Sequence, residues 1–267
     1  EPLTHFDFIG ITIQYEMCYT NILQILDLAQ IPLLAKERER DMPFVIGGGP
    51  CTYNPEPLAD FFDLFYIGEG ETSYDALLDL YKEWKKGDAS REAFLHQAAK
   101  IPGIYVPSLY EVSYKEDGTL ASMEPVYDDI PKKIEKQVVT ELTASVYPDK
   151  PVVPFLKVTQ DRVVLEVQRG CIRGCRFCQA GMIYRPLREK DVERLKRQAD
   201  IMLKNTGYEE ISLSSLSTSD YRELEDLINY LIEHHGKEHV NISLPSLRVD
   251  AFSLDVMGKV QDIKKSS

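Results

Sequence analysis

Three thiols fall within eight residues of this sequence, Cys171, Cys175 and Cys178, in the spacing C-x3-C-x2-C. Free cysteine normally behaves as a small buried hydrophobe, so three gathered on one stretch point to a bound metal or an iron–sulfur cluster. Cubane clusters are commonly held by thiolates at every iron, and three ligands with no nearby fourth leave one iron open to a substrate or cofactor. Three other readings stay open on the residues alone. They are a zinc site of three cysteines completed by a histidine, a cluster used only for electron transfer, and unligated core thiols. The remaining pair, Cys18 and Cys51, is expected to be buried and structural.

Such a loop needs a rigid support, and the flanking residues supply one. The apolar run before the loop predicts a strand over residues 163–168, stopped by Arg169 and Gly170. An amphipathic helix is expected over 191–205, closed by Asn205, Thr206 and Gly207. A strand over 209–215 follows, then Ser217, Thr218 and Ser219 as caps for a helix over 220–235. A third strand over 240–244, a loop of Pro245, Ser246, Leu247 and Arg248, and a helix starting at Ser253 complete the pattern. Strand, loop and helix in repetition is the rhythm of a (β/α) barrel, whose chemistry sits at the C-terminal ends of its strands. His234, His235 and His239 fall at the opposite ends and are expected on the surface.

The N-terminal half is also α/β. Residues 6–13, 43–46 and 64–67 are short apolar runs of the kind that strands buried on both faces show. Helical spacing covers 20–29 and 72–86. Gly47, Gly48 and Gly49 follow the second run, and Gly68-Glu69-Gly70-Glu71 the third. Glycines after buried strands let backbone approach a ligand closely, although neither a dinucleotide nor a phosphate-loop fingerprint is met. Residues 105–114 and 120–127 read as a hairpin turned at Asp117-Gly118. Pro131, Pro148, Pro151 and Pro154 then mark a linker.

The cysteine spacing, with the aromatic Phe177 just before the last cysteine, resembles the radical S-adenosylmethionine superfamily. That resemblance implies a 4Fe-4S cluster on Cys171, Cys175 and Cys178, with the amino and carboxylate groups of S-adenosylmethionine on the open iron and Phe177 near the adenine. Where the family carries a Gly-Gly-Glu-like motif, this sequence has hydroxyls. Ser214, Ser215 and Ser217 are therefore the candidates for the methionine end of the ligand, with Ser246 and Arg248 on the third strand's loop; an Arg248 salt bridge to Asp250 is the plain alternative. Residues 6–86 resemble the cobalamin-binding domain found ahead of many such cores. There the Gly47–Gly49 strip would lie along the nucleotide tail of cobalamin. The D-x-H-x-x-G whose histidine can ligate cobalt is not present, and His5 does not fit it. Residues 214–221 also resemble a stretch of the methylthiotransferases, which makes an RNA-modifying enzyme the alternative; a noncatalytic iron–sulfur or zinc module is a third.

The expected architecture is a partial cobalamin-binding-like Rossmann-type parallel sheet followed by the first half of a radical S-adenosylmethionine barrel. The boundaries are residues 1–100, a hairpin and linker over 101–160, and residues 161–267. Because the barrel family usually has six units, the chain reads as a fragment, inactive by itself. No apolar run reaches the roughly 20 residues of a membrane helix, and five cysteines, three of them clustered, argue against a disulfide framework; a cytoplasmic protein is expected. The formal charge of −12 makes a generic nucleic-acid binder a poor fit. Residues 162–204 nonetheless carry eleven Lys and Arg against five Asp and Glu. The cysteine loop is thus the basic part of an acidic chain, suited to a carboxylate ligand. The expected partners are an unknown substrate and an electron donor such as flavodoxin or ferredoxin.

Overall fold

In the computed structural model, which describes residues 1–251 and 258, the apolar runs of the N-terminal half become a parallel sheet. Strands β1 (Phe8–Thr12), β2 (Phe44–Gly48) and β3 (Leu64–Tyr66) lie side by side in that order. Phe44, Val45, Leu64 and Phe65 are fully buried, as strands covered on both faces require. Helices α1 (Tyr19–Leu28), α2 (Tyr74–Lys85) and α3 (Arg91–Ala98) belong to the same unit. Helix α3 was not expected. Its signal was Ser90, whose Oγ accepts the Ala93 N–H at 3.2 Å as an N-cap.

The strand expected over 105–114 is two strands in two sheets. Strand β4 (Ile104–Tyr105) joins β3 antiparallel, a 3-10 turn at Pro107–Leu109 breaks the run, and β5 (Tyr110–Tyr114) pairs with β6 (Leu120–Pro125). The predicted hairpin turn is present, with Gly118 at φ 79° and Asp117 Oδ1 accepting the Thr119 N–H at 3.0 Å. The chain divides into two compact units, Glu1–Val139 and Thr140–Ser267, so the stretch 101–160 is shared between them.

The second unit carries β7 (Val163–Glu166), β8 (Gln168–Arg169), α4 (Ala180–Ile183), β9 (Arg188–Glu189), α5 (Val192–Thr206), β10 (Glu210–Ser214), α6 (Leu224–His235) and β11 (Asn241–Ser243). Strands β7, β10 and β11 form a parallel sheet in the order β11-β10-β7, and α5 and α6 occupy the connections. Leu165, Ile211, Leu213, Leu195 and Leu227 form its core. Helix α5 has both predicted ends: Asp191 Oδ1 accepts the Arg194 N–H at 2.9 Å, and Gly207 stands at φ 68° with its N–H on the Leu203 carbonyl. The helix expected to begin at Ser253 lies outside the described residues. Among the described residues no helix is long and apolar enough to cross a membrane.

Candidate functional site

The C-terminal ends of β7, β10 and β11 each open into a loop that carries predicted site residues. The first loop is pinched at its base. Short strands β8 and β9 pair antiparallel, Gln168 opposite Glu189 and Arg169 opposite Arg188, so the chain leaves the sheet and returns to it. Gly170 sits in that neck at φ 82°, where an added Cβ would stand 2.5 Å from the Pro186 carbonyl oxygen and 2.6 Å from that of Tyr184. Only glycine fits there, one residue before Cys171.

The three cysteines are free thiols, none fully buried. Each sulfur receives an N–H. Arg173 N lies 3.4 Å from Cys171 Sγ, Gly181 N lies 3.3 Å from Cys178 Sγ, and Arg248 Nη1 lies 3.6 Å from Cys175 Sγ. Among the described residues no group of three His, Cys, Asp or Glu is gathered about one point as a single ion would require. Three cysteine sulfurs on one short loop are the donor type that iron–sulfur clusters take. Phe177 is 91% exposed beside Cys178, a bare aromatic face available for stacking.

Loop two, after β10, does something other than its predicted work. Helix α6 starts at Leu224 with no side-chain cap, so Ser217, Thr218 and Ser219 do not cap it. Their hydroxyls and neighbours form a network instead. Ser217 Oγ donates to Asp220 Oδ2 at 2.7 Å, Ser215 and Thr218 hydroxyls lie 2.9 Å apart, and Thr218 Oγ1 donates to the Pro245 carbonyl at 2.7 Å. Arg173 of the cysteine loop grips Asp220 from the other side, Nε to Oδ2 at 3.0 Å. That guanidinium holds the Asp220 carboxyl below the usual carboxylate range, with the Ser217 hydroxyl helping. Ser217 is buried and committed to this network. Among the described residues the hydroxyls of Ser214 and Ser246 stand outside it, with Ser246 exposed and at φ 59°.

Arg248, on the third loop, meets Asp250 through Nε at 2.9 Å and Nη2 at 2.8 Å, the plain alternative to a ligand carboxylate. Asp250 and then Cys175 hold its pKa above the ordinary arginine value. Sequence reasoning missed Gln168. Its side chain is 2% exposed, Nε2 donates to the Ser217 carbonyl at 2.8 Å, and its buried Oε1 has no partner among the described residues. Alternation along 163–168 groups it with the half-buried Val164 and Glu166 rather than with the buried Val163, Leu165 and Val167, and nothing in the spacing paired it with Ser217. His234 and His239 are exposed, and His235 is tied to Asp200 at 2.8 Å on the helical layer, away from these loops.

In the first unit the glycine strip ends β2. A Cβ at Gly47 would stand 2.4 Å from Phe65 Cδ1, and Gly49, at φ 91°, would place one 2.9 Å from the Ile13 carbonyl. A Cβ at Gly48 would meet nothing within 4 Å. Two of the three glycines are thus required by packing and backbone, and the middle one presents an open ledge. Cys51 is buried as expected, and burial pushes its thiol pKa up; Cys18 is only half-buried.

Residues 1–107 match the family described as radical SAM proteins, N-terminal, and residues 165–265 match the radical SAM superfamily. An uncharacterised protein of Methanocaldococcus jannaschii is 30% identical over 260 residues, covering 96% of this chain and 48% of that protein. The ribosomal protein uS12 methylthiotransferase of Prosthecochloris aestuarii is 29% identical over 89 residues, 33% of this chain and 18% of its own length. The chain thus spans about half the length, or less, of these curated relatives. Two solved structures share the fold. One is the radical S-adenosylmethionine methyltransferase TsrM of Kitasatospora setae with cobalamin and a [4Fe-4S] cluster bound, TM-score 0.55 at 14% identity, covering 95% of this chain and 48% of that one. The other is the cobalamin-dependent S-adenosylmethionine radical enzyme OxsB with aqua-cobalamin and S-adenosylmethionine bound, TM-score 0.52 at 18% identity, covering 89% and 30%.

Proposed function

The chain belongs to the radical S-adenosylmethionine superfamily, with a cobalamin-binding-like region ahead of the core, and from that premise we propose that it is part of an enzyme that cleaves S-adenosylmethionine reductively. Cys171, Cys175 and Cys178 would hold a 4Fe-4S cluster. The observation that carries this reading is the loop itself, pinned at the C-terminal end of β7 with an N–H on every sulfur. When bound, the cluster supplies one low-potential electron to the sulfonium of S-adenosylmethionine and so opens radical chemistry on a substrate.

The protein's part is positioning. Gly170 turns the loop, the Arg173–Asp220 pair ties it to the end of β10, and Phe177 offers its face to the adenine. Ser214 and Ser246 offer hydroxyls to the methionine end. The ledge at Gly48 would take cobalamin. Ile172 and Met182 are exposed, as are Arg176 and Arg185, a surface suited to an acidic electron donor such as flavodoxin or ferredoxin. The substrate class is methyl acceptance if cobalamin is bound. The methylthiotransferase match over 89 residues favours a second reading, methylthiolation, which would need no cobalamin.

The test is anaerobic reconstitution. About four irons and four sulfides per chain are expected, falling in Cys171→Ala, Cys175→Ala and Cys178→Ala. The longer protein, given reductant and S-adenosylmethionine, should release 5′-deoxyadenosine. One zinc and no sulfide would overturn the cluster. Uptake of cobalamin separates the two enzyme readings.

A further inference from the structure

We propose that Arg248, held in place by Asp250, is a positioning residue for Cys175: it fixes that sulfur and raises the reduction potential of the cluster. The inference rests on the reading of the three cysteines as cluster ligands and deepens it. All three sulfurs receive an N–H, but two of the donors are neutral backbone amides, Arg173 N and Gly181 N. The donor to Cys175 is instead a cation, Arg248 Nη1 at 3.6 Å. The arginine comes from the loop after β11 and the cysteine from the loop after β7, 73 residues earlier, so the contact ties two loops of the sheet together.

A guanidinium presents its donors in a rigid fork. One edge of this fork is filled by the two oxygens of Asp250, at 2.9 and 2.8 Å, and the backbone N–H of Arg248 is anchored on Ser219 Oγ at 3.2 Å. With that edge and the backbone fixed, Nη1 has little freedom and stays on the sulfur. The same occupancy argues against Arg248 as a bidentate partner for a ligand carboxylate, which would first have to displace Asp250. Hydrogen bonds to the sulfurs and nearby charge are the levers by which a protein sets a cluster's potential. A cation beside one thiolate stabilises the more negative, reduced cluster, so it makes reduction easier.

The experiment compares the midpoint potential of the reconstituted parent, Arg248→Gln and Arg248→Lys, followed by the electron paramagnetic resonance signal of the reduced cluster, with iron and sulfide measured in each. Arg248→Gln is expected to keep its iron and shift the potential to more negative values. Arg248→Lys keeps the charge but not the fork, and should shift the same way by less. Equal potentials for the parent and Arg248→Gln at equal iron content overturn the proposal. If Arg248→Gln takes up no iron, Arg248→Lys decides by the same comparison. If neither variant loads while both keep the parent's circular dichroism and melting temperature, the arginine is what places Cys175, as proposed; if both lose the fold, the arginine is structural and the proposal fails. A parent that takes up no iron and sulfide refutes the cluster reading itself, before any variant is compared.

Discussion

Arg173, inside the cysteine loop, and Asp220, in the turn after β10, are joined by two hydrogen bonds, Nε to Oδ2 at 3.0 Å and Nη2 to Oδ1 at 2.5 Å, across 47 residues of sequence. The pair makes the position of the loop depend on a charge. Asp220 has a carboxyl pKa below its ordinary value, chiefly because Arg173 donates to it. A folded-state value below the unfolded one means that the ionised carboxylate stabilises the fold. That contribution is whole above about pH 4 and is lost as the pH falls through the lowered folded value. Melting temperatures of the metal-free chain between pH 7 and pH 3 should therefore fall more steeply for the parent than for Asp220→Asn. Parallel curves would remove Asp220 from the acid response.

Gly170 offers a sharper handle on the same loop. At φ 82°, with two carbonyl oxygens within 2.6 Å of where a Cβ would stand, the backbone cannot keep its path with alanine in place. Gly170→Ala is expected to cost about 1–3 kcal/mol and to lower the iron bound after reconstitution, because Cys171 is the next residue. Gly174→Ala is the control: a Cβ there meets nothing within 4 Å and the backbone is not left-handed. It should bind as much iron as the parent, and equal iron in both variants would show that the neck does not position the thiols.

The cysteine loop, its strand and the ends of α5 were legible because each is written locally: C-x3-C-x2-C, the apolar run before it, Asp191 at one helix end and Gly207 at the other. What escaped was written across strands. Arg173 and Asp220 meet because β7 and β10 are neighbours, and no spacing announces it. Ser217 and Thr218 look like helix caps in sequence, yet Asp220 and the Pro245 carbonyl are nearer partners than the first turn of α6. Arg248 reads as either a ligand clamp or a salt bridge; the structure pairs it with Asp250 and adds Cys175, a contact that only the third strand's loop could bring. The split of residues 105–114 follows from Pro107, which has no N–H to continue a ladder.

Gly47 and Gly48 are adjacent in β2 and should respond oppositely. Alanine at Gly47 drives a methyl group into the Phe65 ring, 2.4 Å from Cδ1, and overpacking of this kind costs about 1–3 kcal/mol. Alanine at Gly48 meets open space, so its stability should stay within about 0.5 kcal/mol of the parent. If cobalamin lies along the strip, Gly48→Ala weakens cobalamin uptake while leaving denaturant unfolding unchanged. Unchanged uptake would place the cofactor elsewhere.

The strongest effect on stability is expected at a buried charge cluster in the first unit. Asp63, one residue before β3, is 2% exposed and accepts from Arg38 Nη1 at 2.9 Å, from the Val45 N–H at 2.7 Å and from Arg91 Nε at 3.2 Å. Both guanidiniums are otherwise spent on backbone carbonyls, Arg38 on Pro32, Leu33 and Phe61, and Arg91 on Glu39, Met42 and Pro43. Burial already pulls the Arg38 pKa down, which shows how costly its charge is in that setting. Removing the one carboxylate leaves two buried cations without their counter-charge, so Asp63→Ala should cost about 3–5 kcal/mol. Replacing all three with apolar residues should recover part of that, because the cost lies in the uncompensated charge rather than in the loss of a bond. Urea unfolding of the single and triple variants distinguishes these: a triple variant no more stable than Asp63→Ala would mean that the cluster is needed for the path of the chain around β2 and β3, beyond its charge balance.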